Sequence, residues 1–190
     1  MATFNSPSDS SFKPKDMELI FSTTLTSPTN SITTGTLPTG YKSYHINARA
    51  RSDNAGYHIT TAYLFFNNDT STSNYQIQRI LGSTTTTGYL DTRGQAKPAF
   101  FVMPGPNGGA AHFFGGATIQ IYSPESTTGY KSFNVHTASQ KNTGTSTEDR
   151  VMYLLSGLWR NTAAITEITF QIVGSHDWVV GSSFEIYGLK

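Results

Sequence analysis

Apolar and polar residues alternate with a period of two along most of this chain, and that alternation predicts strands. ELIFSTTL alternates around Leu19 and Phe21. After the turn-rich TSPTNSITTGTLPTG, with its short Ile32 segment, YKSYHINARA sets Tyr44, Ile46 and Ala48 on one face. HITTAYLFFN carries β-formers on both faces, as a central strand would. YQIQRILGS sets Tyr75, Ile77 and Arg79 against Gln76, Gln78 and Ile80. An apolar run from Ala99 to Met103 is stopped by Pro104 and a Gly-rich loop. ATIQIYSP, KSFNVHTAS and VMYLLSGLW follow, each bounded by Gly, Pro, Ser or Asn. In ITEITFQIV, Ile168, Phe170 and Ile172 oppose Glu167, Thr169 and Gln171, and FEIYG completes the series. STTTTGYLDTRGQAK reads as a polar connection, and only a turn near Thr162–Ala164 suggests helix.

About nine or ten short strands with no helical period predict an all-β fold, an antiparallel β-sandwich of jelly-roll-like topology. Ile168, Phe170, Ile172, Phe184 and Ile186 are expected in its core. Residues 17–190 form the sandwich in this reading, with a final strand tying the chain end into a sheet. Residues 1–16 are polar and rich in Ser and Pro, too poor in apolar surface to fold alone, and are expected to be an extended N-terminal arm. Phe4 and Phe12 could seat in pockets of a neighbour, while Pro7 and Pro14 reduce the entropy lost on ordering.

Composition strengthens this picture. Charged residues are only 13% of the 190 and hydrophobic ones 36%, with 17 Gly and 8 Pro as punctuation. Ser and Thr fill about a quarter of the chain. A net charge of +1 gives no field to draw in nucleic acid or an anionic membrane. No apolar run is long enough to span a bilayer, and the N-terminus lacks the apolar stretch of a secretory signal.

Candidate chemistry is sparse. There is no Cys, and His45, His58, His112, His136 and His176 show no metal-ligand spacing, so no metal or cofactor is expected. Asp53, Asp69, Asp91 and Asp177 sit in turn-like contexts, where Asx side chains bond their own backbone. A pair of carboxylates serving a glycan-active hydrolase is the enzymatic alternative. Asp69-x-Ser71-x-Ser73 has neither the Gly nor the Glu that completes a calcium loop. No GxSxG or GK[ST] motif occurs. Trp159, Trp178 and Tyr130 lie near loops and could stack a sugar; the ordinary role of such residues is core packing. Tyr130 and Trp178 are the possible glycan-binding residues. No catalytic residue is expected, and binding or building is the role that fits.

Two stretches, taken together, resemble a family of small tailed-bacteriophage virion structural proteins. One runs from TSPTNSITTGTLPTGYKSYHINARARSDNAG into LFFNNDTSTSNYQIQRILGS; the other combines GLWRNTAAITEITF with GSSFEIYGLK. The resemblance covers roughly Thr26 to Lys190 and implies a non-enzymatic role in the virion, assembled in the host cytoplasm. A capsid decoration or cement protein is the leading form, bound to the major capsid protein or other virion proteins through the arm and to copies of itself, as a homotrimer by analogy with other jelly-roll virion proteins. A tail or fibre module that touches host surface polysaccharide is the alternative.

Overall fold

The computed structural model describes residues 17–56, 59–83, 87–95, 98–105, 112–140 and 150–190, and of 87–95 the backbone alone. Twelve strands occur among the described residues: β1 (Met17–Thr24), β2 (Ser31–Thr33), β3 (Ser43–Ala50), β4 (Ile59–Phe66), β5 (Tyr75–Ser83), β6 (Thr87–Gln95), β7 (Ala99–Pro104), β8 (Gly115–Tyr122), β9 (Lys131–Gln140), β10 (Arg150–Trp159), β11 (Ile168–Ile172) and β12 (Ser183–Leu189). They build an eight-stranded sheet, β1-β12-β3-β8-β9-β10-β5-β6, and a four-stranded sheet, β2-β11-β4-β7. Every pairing is antiparallel, and the two sheets pack as a sandwich.

The jelly roll is visible once two hairpins are set aside. Without β5–β6 and β9–β10, the sheets read β1-β12-β3-β8 and β2-β11-β4-β7, and every step along the chain crosses to the opposite sheet except β4 to β7, which pair within the small one. The hairpins then extend the larger sheet by four strands on one side. β12 lies between β1 and β3, inside the sheet.

Alternation places the expected core. Ile168, Phe170, Phe184 and Ile186 are fully buried and Ile172 nearly so. Phe101, Phe170, Trp178 and Phe184 form one aromatic cluster, with Phe170 and Phe184 centroids 4.9 Å apart. β7 is buried along its whole length although it is the edge of its sheet, because β9 lies over it. There the Thr137 hydroxyl accepts from the Val102 N–H at 3.1 Å and sits 3.2 Å from its carbonyl, so a side chain serves the backbone groups that an edge leaves open.

Three expectations are corrected. The polar connection contains a strand, β6, at the outer edge of the large sheet, and Asp91 lies within it opposite Arg79 instead of at a turn. Residues 162–164 form no helical turn; among the described residues the single turn of 3-10 helix is Thr72–Asn74. The short Ile32 segment within the turn-rich stretch is a strand, β2, paired with β11 through Ser31, Ile32 and Thr33.

Candidate functional site

The residues singled out from sequence separate. Phe4, Pro7, Phe12 and Pro14 lie outside the described residues. Tyr130 stands 54% exposed just ahead of β9. Trp178 is fully buried, stacked on Phe101 at 5.7 Å and bridged by backbone to Thr29 and Ser52, so it cannot stack a sugar. Trp159 is fully buried too. The loop-like sequence around Trp178 conceals a segment wedged between the ends of both sheets.

The segments LFFNNDTSTSNY and GLWRNTAAITEITF meet at one end of the sandwich. Asn67 and Asn68 hold left-handed backbone, φ 52° and 56°, which Asn tolerates better than most residues. The Asn67 side chain donates to the Ala164 carbonyl at 2.7 Å and accepts from the Thr166 and Glu167 N–H groups. Asp69 accepts from Trp159 Nε1 at 2.8 Å, from Asn74 Nδ2 at 2.9 Å and from the Ser71 N–H. The Tyr75 hydroxyl accepts from the Phe66 N–H and donates to the Asp69 carbonyl, both at 3.0 Å. Lys131 is fully buried beneath this layer. Its ammonium donates to the carbonyls of Gly129, Asn161 and Thr162 and sits 5.7 Å from the Trp159 ring centroid. Three N–H donors meet three carbonyls, the full capacity of the group. Burial pushes the Lys131 pKa down and the Tyr75 pKa up, while Tyr44 is pushed up to about 12 by the same cause.

Other carboxylates are also held in local bonds. Glu125 caps the N–H groups of Gly40 and Tyr41, Glu18 pairs with Lys190 at 3.0 Å and Tyr41, and Asp53 accepts from the Asp177 N–H, 3.7 Å from His176 Nδ1. Among the described residues, no cluster of three or more His, Asp or Glu could hold a metal ion.

The remaining surface of note is the outer face of the large sheet, turned away from the small one. Three depressions of about 580, 300 and 550 Å³ lie on it; the first two share His136 and Leu154, the last two Gln78 and Ser156. Met152, Leu154 and Ile80 are exposed here at 62%, 44% and 46%. The sequence singles out none of Met152, Leu154 and His136 for this face, since their alignment depends on register between distant segments. In comparisons with protein-family models, curated proteins and solved structures, nothing matches this chain.

Proposed function

We propose that this chain is a structural component of a tailed-bacteriophage particle, a capsid decoration protein held by residues 1–16 and by contacts between copies, a trimer by analogy with other jelly-roll virion proteins. The observation that carries the reading is the convergence of the phage-like pattern. Asn67 and Asp69 bond the 161–167 segment and Trp159, about 90 to 100 residues away, and Tyr75 bonds Asp69, so these residues engage one another instead of facing a cleft. Residues engaged in this way specify a shape, and a persistent shape is what a particle component contributes. The major capsid protein or another virion protein is the partner, and the virion is the location.

The test begins with purified particles. Mass spectrometry and immunogold microscopy should find the protein on the head; its absence from particles overturns the proposal. Deleting residues 1–16 should leave a folded, soluble domain that no longer attaches. Undiminished occupancy by the truncated protein would remove the arm from the account.

A further inference from the structure

We propose that the outer face of the eight-stranded sheet is a binding groove for an uncharged polysaccharide chain. One straight row crosses five strands of it: His45 of β3 lies opposite Gln120 of β8, Gln120 opposite Asn134 of β9, Asn134 opposite Ser156 of β10, and Ser156 opposite Gln78 of β5, and the last three line the second and third depressions. Neighbouring strands are about 4.8 Å apart, so the row extends about 19 Å. That interval is close to the length of one pyranose unit, and successive sugars would meet successive side chains.

The chemistry of the row matches hydroxyl groups. Gln and Asn amides, a Ser hydroxyl and a neutral imidazole each offer both donor and acceptor, as a sugar hydroxyl does. Among the described residues, the side chains of Gln78, Ser156 and His45 make no hydrogen bond within the protein, while Tyr122 holds Gln120 and Asn134 in place through its hydroxyl at 2.9 and 3.3 Å. The next row places Leu154 and Ile80 side by side, an apolar wall for the C–H face of a ring. From His45 to Gln78 the row holds neither a carboxylate nor a Lys or Arg, so nothing on it favours a phosphorylated, sulfated or uronic acid ligand. The linked depressions are open along the sheet, which suits a chain passing through more than a small molecule enclosed at its end.

The inference does not depend on the particle reading, and its test needs only the purified full-length protein. Electrophoresis in gels containing dextran, yeast mannan, galactomannan or mixed-linkage β-glucan should show retardation by at least one. Alginate and heparin serve as anionic controls. Gln78→Ala and Asn134→Ala should each weaken the interaction tenfold or more at unchanged Tm, and added salt should leave it intact because no charge pair is involved. Migration unaffected by all four neutral polymers overturns the proposal. So does binding confined to the anionic polymers, or binding equal in wild type and both variants. A concentration-dependent dimer abolished by Met152→Glu would overturn it as well, by assigning this face to a second copy.

Discussion

At the scale of single residues, the interior is held by polar groups whose partners are distant in sequence. Trp159 Nε1 has the Asp69 carboxylate as its partner, and Asp69→Ala leaves that buried N–H without one. The variant should lose about 1–3 kcal/mol of stability, read as a lower urea midpoint. Lys131→Met orphans three carbonyls and should cost at least as much. Tyrosine titration gives a pH prediction. Tyr44 is pushed up to about 12 and Tyr75 is raised too, both chiefly by burial, against the ordinary value of 10.0. Between pH 10 and about 12 the unfolded chain gives up these protons while the folded one keeps them, so stability falls as pH rises, by about 1.4 kcal/mol per pH unit for each group. Lys131, lowered by burial from 10.5, works in the opposite sense below that pH, so the loss is cleanest above it. Urea midpoints across this range should decline, and Tyr44→Phe should remove one share of the slope. Residue roles were the least legible part of the sequence. Nothing near Trp178 announces that its ring packs on Phe101, 77 positions away, and Asp69 looks like an ordinary turn residue until Trp159 is placed above it.

At the scale of elements, local pattern identified ten of the twelve strands among the described residues; the three-residue β2 left only Ile32 as a mark in turn-rich sequence. The other exception, β6, sits at a sheet edge with few apolar residues in TGYLDTRGQ, so its pairing with β5 leaves little trace in composition. Glycines show how differently two faces of one sheet are constrained. Gly157 of β10 lies opposite Phe133 of β9, and a Cβ there would overlap the Phe133 ring and approach the Gln76 carbonyl to 2.9 Å. Gly157→Ala should therefore destabilise by about 1–3 kcal/mol through overpacking. Gly116 faces the outer groove, where a Cβ would meet nothing closer than the Ala48 carbonyl at 3.8 Å. Gly116→Ala should leave the thermal midpoint essentially unmoved. Equal shifts in both variants would show that the two faces are not constrained as described.

At the scale of the whole molecule, the all-β character follows from local pattern, which suggested nine or ten strands where twelve occur among the described residues, and the jelly-roll order agrees with what that pattern suggested. The enlargement of one sheet by two hairpins was not legible, because it depends on which strands meet, and pairings such as β10 with β5 join segments about 75 residues apart. One such pairing bears on how the protein is made. β1 is synthesised first, but its partner β12 begins at Ser183, about 160 residues later. At ribosomal rates of about 5–20 residues per second, the first strand waits on the order of ten to thirty seconds with its backbone unpaired. Throughout that interval Phe21 and the unpaired edge of β1 are open to any other nascent chain on the same message, so translation speed and chaperone supply bear on how much protein is recovered.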